Sequence, residues 1–258
     1  MENNFHPIVT IVTPSFNQGK FIEETISSVL NQTYKNIQYI LVDGGSTDKT
    51  MELINKYRSR IDIIIHEKDK GQADAINKGF RLAKGVLVGW INSDDILYPD
   101  CIEKIVELYQ KKSDGAIYHC SKLDWINEEG IFLNKRHITI PNKDYLLNKN
   151  SSIIQQGSFY STELVKKINY LDEKIYYCMD LDLWLRLLDY GPIYSINEKT
   201  YSAFRVYTGT KTDIGEVKFL KNIKDVILRN GAKWYSRNIL IGFYYYSFKY
   251  YVKKLIYG

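Results

Sequence analysis

Residues 8–48 decide the fold, and they read IVTIVTPSFNQGKFIEETISSVLNQTYKNIQYILVDGGSTD. The stretch opens with a short apolar run that ends at Pro14, as expected of a buried strand. Apolar residues then recur at the spacing of one helix face, from Phe21 to Leu30. A second apolar run, Ile37 to Val42, ends at Asp43-Gly44-Gly45. The pattern predicts a strand, a helix and a second strand joined by short connections.

The alternation of strand and helix continues along the first half of the chain. Ser46 or Thr47 is suited to cap the second predicted helix. Gly85 is suited to end the third, at about 73–83, in the left-handed conformation. This rhythm predicts an α/β fold in which helices cover both faces of a mostly parallel sheet. The further strands predicted here are 61–65 and 86–91.

Beyond residue 115 the predicted strands become shorter and the helices dominate. A helix begins near Met179, because Leu181, Trp184 and Leu188 follow at helical spacing. We expect one domain of residues 1–210, with halves at 1–115 and 116–210, and a helical appendage of residues 211–258. The other elements predicted in this part are strands at 116–120, 123–126 and 131–133 and helices at 215–230 and 233–256.

Polar residues cluster where the predicted strands end, in the ranges 13–17, 43–48, 67–74 and 92–95. Parallel sheets of this kind bind ligands beyond the carboxyl ends of their strands, so the clusters indicate a binding site. The chain has neither a GxxxxGK[ST] loop nor a GxGxxG motif to hold phosphates. A divalent cation held by carboxylates is the remaining way to neutralise a nucleotide, and Asp94-Asp95 suits that role.

Five segments carry a resemblance to a known family: TPSFN (13–17), VDGGSTD (42–48), GQADAINKG (71–79), NSDD (92–95) and MDLDLWLR (179–186). In order and spacing they resemble family 2 glycosyltransferases across about 200 of the 258 residues. The nearest resemblance is to the enzymes that build bacterial O-antigens and capsules. It implies the GT-A fold, a mostly parallel nucleotide-binding sheet flanked by helices, with C-terminal helices. It also implies inverting transfer of a sugar from a nucleoside diphosphate, typically UDP.

The resemblance assigns a role to each matching position. Asp180 would be the catalytic base, and Asp95 would ligate the metal, Mn²⁺ or Mg²⁺. Asp43 would accept a hydrogen bond from the nucleotide base, and Asp94 would face the ribose and the donor sugar. The residues that would bind the substrate are Thr13, Pro14, Ser15, Asn17, Asp43, Gly45, Gln72, Asp74, Asn92, Ser93, Asp94, Trp184 and Arg186.

The chemistry of inversion is consistent with this set of residues. A base must take the proton of the acceptor hydroxyl on the face opposite the departing diphosphate. A divalent cation stabilises the charge that grows on that diphosphate. We expect a hexosyltransferase that acts on a saccharide acceptor, lipid-linked, in surface polysaccharide biosynthesis. The alternatives are transfer to polyprenyl phosphate, a sugar nucleotidyltransferase, and a degenerate binding module.

Several assignments have a structural alternative at the level of the sequence. Asp43 is also suited to begin a turn, and Asp74 and Asp180 to cap helices. Asp182 competes with Asp180 as the base. The helical spacing of Trp184 favours a place in the core.

Three further positions have no settled role. Gln155 and Gln156 fall where relatives place acceptor-loop residues. Tyr207 stands where relatives often carry a metal-binding histidine. Its phenol stays protonated at neutral pH and is a poor ligand.

The chain from residue 211 onward carries ten basic and three acidic residues, and aromatic side chains lie among them. This composition suits the headgroup region of an anionic membrane, so peripheral contact through residues 233–258 is one hypothesis. The alternative is packing on the body of the protein or on a second subunit in a homodimer. Nucleic acid is not expected, because the tail accounts for the positive charge and leaves the rest slightly acidic.

The sequence predicts a cytoplasmic protein. Its N-terminus lacks the features of a signal peptide, and no apolar run approaches the ~20 residues that cross a bilayer. The cysteines are three, Cys101, Cys120 and Cys178, and have no CxxC spacing. They are expected to be buried thiols in a reducing compartment.

Overall fold

The computed structural model describes residues 6–250, without the side chains of residues 211–214 and 216. The strands are β1 (Val9–Ser15), β2 (Ile37–Asp43), β3 (Ile63–His66), β4 (Leu87–Trp90), β5 (Ile96–Leu97), β6 (Ile117–Cys120), β7 (Lys122–Ile126), β8 (Phe132–His137), β9 (Ser158–Ser161), β10 (Ile193–Ile196) and β11 (Ser202–Arg205). The helices are α1 (Ile22–Leu30), α2 (Thr50–Lys56), α3 (Gln72–Arg81), α4 (Cys101–Lys111), α5 (Lys143–Asn148), α6 (Thr162–Lys167), α7 (Met179–Leu187) and α8 (Lys211–Arg229), with a 3₁₀ turn at Arg58–Arg60 and a π-helical segment at Asn238–Tyr245.

Seven strands form the central sheet, in the order β10-β6-β9-β4-β1-β2-β3. Parallel pairing joins β1 to β2 and β4, β2 to β3, and β6 to β10. The strand β9 is antiparallel to both of its neighbours, β4 and β6. The predicted strands of the first half are confirmed, and the sheet is mostly parallel as predicted.

Side chains of β1 alternate between two hydrophobic layers, because successive residues of a strand point to opposite faces. Val12 belongs to the layer that packs against α3, α7 and α8 and includes Phe80 and Ile227. Ile11 belongs to the layer that packs against α1, α2 and α4 and includes Ile26. Helices therefore cover both faces of the sheet, as the alternation of elements predicts.

Four strands form a second sheet, in the order β5-β11-β7-β8. The strand β11 pairs with β5 in antiparallel and with β7 in parallel orientation, and β8 folds back on β7 as a hairpin. Asp94 and Asp95 immediately precede β5 at one edge of this sheet, and β8 is the other edge. The sequence predicts β7 and part of β8 but does not show that they build a separate sheet.

Two predicted helix ends are wrong. The helix α2 begins at Thr50, so Ser46 and Thr47 do not cap it. Asp48 Oδ1 accepts a hydrogen bond from the Thr50 amide instead, at 2.9 Å. The helix α3 ends at Arg81, and Gly85 is not in the left-handed region. A Cβ at Gly85 would lie 2.6 Å from the Ile8 carbonyl oxygen, so glycine is needed there for close approach of two backbones.

The C-terminal helices begin at different residues from those predicted. The helix α8 begins at Lys211 and not at 215, and its Val226 and Ile227 are buried in the main core. The last helical segment begins at Arg237 and not at 233, and residues 251–256 of that prediction lie outside the described residues. Between residues 6 and 250 no helix is both long and apolar enough to span a bilayer. The division into 1–210 and 211–258 stays a prediction.

Candidate active site

A cavity of about 620 Å³ opens between the carboxyl ends of the central strands and the second sheet. Its walls come from the ends of β1 and β4, the first turns of α3 and α7, and one face of the second sheet. This is the place that the polar clusters at the strand ends predict. Of the site residues predicted from the sequence, those that line the cavity are Pro14, Ser15, Gln72, Asn92, Ser93, Asp94 and Asp180.

Asp94 lines the cavity, whereas Asp95 lies behind it and is fully buried. One carboxylate oxygen of Asp95 accepts from the Arg205 amide at 3.0 Å. The other accepts from the side-chain amides of Asn92 at 3.1 Å and Gln156 at 2.8 Å. Both oxygens of Asp95 are thus engaged, and a ligand that approaches from the cavity meets Asp94 first.

Burial perturbs the titration of this pair. It raises the pKa of Asp94, and burial together with the charge of Asp94 raises the pKa of Asp95 to about 8. The Tyr207 hydroxyl donates to Asp94 Oδ2 at 2.8 Å. Burial also raises the pKa of Tyr207, so the phenol remains a donor. Adjacent buried carboxylates need a proton or a cation to compensate their charge.

The donor set fits a divalent cation that shares its ligands with the substrate. Among the described residues no group of three His, Cys, Asp or Glu side chains could hold a metal. Carboxylate oxygens suit Mg²⁺ and Mn²⁺, and waters and substrate phosphates often complete the coordination of such ions. The Asp94–Asp95 pair therefore has the chemistry for this ion, without an all-protein cage.

Arg205 braces the two aspartates, a role that sequence reasoning missed. It is 1% exposed, and its Nε donates to the Asp94 carbonyl at 2.9 Å while its amide donates to Asp95. The guanidinium also donates to the Glu128 carbonyl at 2.9 Å and pairs with Glu24. The sequence drew attention to this segment only through Tyr207, two residues after Arg205. The contact of Arg205 with the aspartates could not be predicted, because it depends on the long-range pairing of β11 with β5.

Asp43 ends β2 and organises the turn that follows. It is fully buried, and its Oδ2 accepts from the amides of Gly45 at 3.1 Å and Ser46 at 2.8 Å. Its Oδ2 also lies 2.7 Å from His66 Nδ1. Gly45 has φ +88°, which favours glycine. Asp43 and Gly45 stand beside the cavity lining, and their contact with a nucleotide base stays a prediction.

Two further residues of the nucleotide assignment also stand outside the lining. Asn17 Oδ1 accepts from the Thr47 amide at 2.9 Å and ties the β1 loop to the β2 loop. Asp74 Oδ2 accepts from the Lys70 amide at 3.0 Å and lies 3.5 Å from Lys78 Nζ. Both side chains stabilise loops at the rim, and their substrate roles stay predictions.

Three residues assigned to substrate binding lie outside the cavity lining: Thr13 and Trp184 are in the protein core, and Arg186 is partly exposed. Thr13 is fully buried, with its Oγ1 3.0 Å from the Tyr39 hydroxyl. Trp184 is fully buried and donates to the Tyr160 hydroxyl at 3.0 Å, as its helical spacing favours. Arg186 donates to backbone carbonyls and to a carboxylate on its own helix. Packing and hydrogen bonds hold these three side chains outside the cavity.

The two acids of α7 have different surroundings. Asp180 lines the cavity. Asp182 is fully buried, and its Oδ2 accepts from Arg186 Nε at 2.7 Å. Its Oδ1 accepts from Arg229 and from the Asn230 side-chain amide. Asp182 is thus enclosed in ion pairs, and Asp180 has access to a substrate.

Three buried polar atoms of residues that line the cavity have no hydrogen-bond partner among the described residues: Ser15 Oγ, Trp125 Nε1 and Gln155 Oε1. The other end of Gln155 is fixed, because its Nε2 donates to the Trp90 carbonyl at 2.8 Å. Buried polar atoms are nearly always satisfied by protein, water or ligand. They therefore indicate that this cavity receives a polar ligand.

Aromatic side chains form much of the remaining wall. Trp125 and Phe204 meet edge to face, with ring centroids 6.0 Å apart, on the cavity face of the second sheet. Tyr176 and Tyr177 line the cavity from the segment before α7. An apolar cavity with a few fixed polar groups is typical of a small-molecule site. Sequence reasoning missed this wall because its residues belong to three distant segments.

Solved structures resemble the protein over most of its length. The structure of S. aureus TarS residues 1–349 in complex with UDP-GlcNAc matches with a TM-score of 0.69 and 16% identity, over 94% of this chain and 73% of that chain. The mannosyltransferase PcManGT from Pyrobaculum calidifontis, in complex with GDP-Man and Mn²⁺, matches with a TM-score of 0.68 and 16% identity, over 88% of this chain and 66% of that one. Both are GT-A glycosyltransferases, so the predicted fold is confirmed.

Sequence comparisons agree with the fold. The chondroitin synthase of Escherichia coli is 27% identical over 237 residues, which cover 89% of this chain and 34% of that protein. The chain thus spans about a third of the length of this relative. The family model described as "Glycosyl transferase family 2" matches residues 10–169, more than half of the chain. The chain therefore belongs to glycosyl transferase family 2.

Proposed function

We propose that the protein transfers a sugar from a nucleoside diphosphate, UDP by preference, to a saccharide acceptor, with inversion and with a divalent cation. The observation that carries the proposal is the meeting of Asp94 and Asp180 in one cavity, beside the unpartnered Ser15 Oγ. Asp94 is adjacent to a second carboxylate, Asp95, and this pair suits a cation. Asp180 belongs to a different element and is proposed as the base. These are the separate groups that inverting transfer requires.

Asp180 is proposed as the base that accepts the proton of the acceptor hydroxyl. It lines the cavity, whereas Asp182 is closed off by Arg186 and Arg229. A base must come within hydrogen-bond reach of the proton it removes. Of the two acids that the sequence offers, the accessible one meets this requirement.

The pair Asp94–Asp95 is proposed to hold Mn²⁺ or Mg²⁺, with Asp94 towards the cavity. When bound, the cation supplies Lewis-acid stabilisation to the departing diphosphate. Arg205 keeps the pair in place through its amide and its Nε. For Asp95 itself to ligate the ion, its bonds from Asn92 or Gln156 have to open.

The relatives support a polysaccharide product. The name of the E. coli chondroitin synthase associates that relative with polysaccharide synthesis. The structure of S. aureus TarS is in complex with a UDP-sugar, UDP-GlcNAc. The solved structure of PcManGT is in complex with GDP-Man and Mn²⁺, which supports a metal-assisted nucleotide-sugar site in this fold. We propose by analogy that the protein builds a surface polysaccharide in the cytoplasm, on a lipid-linked acceptor. Membership in this family argues against a sugar nucleotidyltransferase.

The surface near the C-terminus supports the lipid-linked acceptor. We define the C-terminal aromatic surface as Trp234, Tyr235, Tyr244, Tyr245, Tyr246 and Phe248, each more than half exposed. Exposed Lys233, Arg237 and Lys249 lie among them, and the sequence has no acidic residue after Asp225. Aromatic and basic side chains together suit an anionic leaflet. We propose that this surface contacts the membrane.

A panel of donors tests the proposed reaction. UDP-, GDP- and dTDP-sugars are each added with Mn²⁺, Mg²⁺ or chelator, and the melting temperature is recorded. A donor at a hundred times its dissociation constant stabilises by roughly 2.7 kcal/mol, or a few degrees for a chain of this size. We expect one donor to stabilise the protein only with metal, and Asp94→Asn and Asp95→Asn to abolish the metal-dependent part. A folded protein that no donor stabilises would contradict the proposal.

A further inference from the structure

The face that the second sheet turns to the cavity carries one positive charge. Register pairs Leu123 with Arg136 and Asp124 with Lys135 across β7 and β8. Because side chains alternate between faces, Arg136 and Lys135 point to opposite sides of the sheet. Leu123 and Arg136 both line the cavity, as do Trp125 and Phe204, which lie on the same face.

Arg136 differs from the other cations nearby in lacking an acidic partner. Lys135 Nζ lies 3.7 Å from Asp124 Oδ1 on the opposite face, but none of the ion pairs in the described part of the chain includes Arg136. Its guanidinium carbon lies 5.7 Å from the Trp125 ring centroid, and its Nη2 lies 3.5 Å from Ser152 Oγ. The ring orients the guanidinium and leaves its donors available.

Its place in the sheet assigns Arg136 to the acceptor end of the cavity. The strand β8 is one edge of the second sheet, and Asp94 precedes β5 at the other edge. Neighbouring strands lie about 4.8 Å apart, so three spacings separate the edges by roughly 14 Å. In the proposed function the donor diphosphate lies beside Asp94. At this distance Arg136 cannot neutralise the diphosphate. Among the described lining residues the charged groups are Asp69, Asp94, Asp180 and Arg136.

We propose that Arg136, with Trp125 and Ser152, forms a subsite for an anionic group of the acceptor saccharide, a carboxylate or a phosphate. A guanidinium binds either anion through two parallel hydrogen bonds, and the indole ring provides an apolar surface for the sugar that carries it. The inference rests on the proposed function, since it requires a saccharide acceptor in this cavity. It adds that the acceptor is acidic.

Calorimetric titration with three oligosaccharides tests the subsite, in the presence of UDP and Mn²⁺. The first contains uronic acid, the second is its carboxyl-reduced neutral counterpart, and the third is a polyol-phosphate oligomer. A hydrogen bond to a charged group contributes about 1.5–3 kcal/mol, so we expect one acidic oligosaccharide to bind roughly ten times or more tightly than the neutral one. Which of the two acidic compounds binds identifies the anion.

Variants of the two adjacent cations provide the matched control. Arg136→Gln is expected to bind the preferred acidic oligosaccharide as weakly as the wild type binds its neutral counterpart. Lys135→Gln removes the same charge from the opposite face and is expected to keep the preference. If both variants lost the preference for the acidic oligosaccharide equally, the preference would come from general electrostatics. That result would overturn the proposed subsite.

Donor binding separates a failure of this inference from a failure of the proposed function. Melting temperatures with the nucleotide sugar and metal are recorded on the same preparations. If the donor binds but the wild type does not prefer either acidic oligosaccharide, the acidic acceptor is ruled out and the proposed reaction stands. If no donor binds, the proposed function fails, and the acceptor subsite fails with it.

Discussion

Two carboxylates on α7, Asp180 and Asp182, lie two residues apart and meet different surroundings. The side chain at 182 turns inward, where Arg186 and Arg229 neutralise it. The side chain at 180 turns to the cavity. The i,i+4 spacing of Asp182 and Arg186 could be seen in the sequence. Arg229 could not be connected to them, because 47 residues separate it from Asp182 and only folding brings them together.

The two acids are expected to respond to mutation in opposite ways. Asp180→Asn should lower the transfer rate by about 10²-fold or more, as expected for a lost general base, and should leave the free energy of unfolding nearly unchanged. Asp182→Asn should lower that free energy by roughly 1.5–3 kcal/mol, because it removes the buried charge that accepts hydrogen bonds from the partly exposed Arg186 and Arg229. Urea denaturation and product formation measured on both variants check this. Full activity in Asp180→Asn would exclude it as the base.

At the scale of elements, local patterns predict what nearby residues build. The strands β1 to β4 follow from apolar runs and their polar ends, and the comparison with solved structures confirms the fold. The second sheet does not follow, because it pairs Ala203 with Asp124 and Ser202 with Leu97 across long stretches of chain. The sequence singles out Gly85 but not the reason that glycine is needed there. That reason is close approach to the backbone of Ile8, which is distant in the sequence.

The membrane prediction rests on the C-terminal aromatic surface. Trp234 and Phe248 are 73% and 68% exposed. Replacing both with Ser should leave the fold intact and weaken binding to vesicles with anionic lipid by roughly tenfold or more, because each large apolar side chain contributes about 1.5–3 kcal/mol when it leaves water. Co-sedimentation of the full chain checks this, with Phe132→Ser on β8, 57% exposed, as the matched control. Unchanged vesicle binding of the double variant would contradict membrane contact and favour contact of this surface with a second subunit.

At the scale of the whole molecule, His119 couples stability to pH. It is fully buried in β6, with its ring centroid 5.3 Å from that of Trp184, and burial lowers its pKa to about 4. In the unfolded chain its pKa is about 6.5. Between these values the unfolded state binds more protons than the folded state. Stability therefore rises with pH in this window and is lost as the pH falls from 6.5 towards 4.

The size of this effect can be measured by difference. At pH 5 the His119 contribution should cost the wild type roughly 2 kcal/mol relative to neutral pH. His119→Leu removes the titrating group and should lose correspondingly less stability over the same interval. Urea denaturation of both proteins at pH 7 and pH 5 checks this. Parallel losses in the two proteins would show that other groups control the acid response.

The antiparallel strand β9 limits how the two halves of the chain can be recombined with those of related proteins. It lies between β4 and β6, so a strand from the second half of the chain extends the sheet whose strand ends line the cavity. The strands of the two halves expected at 1–115 and 116–210 therefore form two adjacent blocks of one sheet, which meet where β9 pairs with β4. Recombination that replaces the second half of the chain must supply a strand that pairs with β4 as β9 does, or it leaves the edge of β4 open to pairing with another chain.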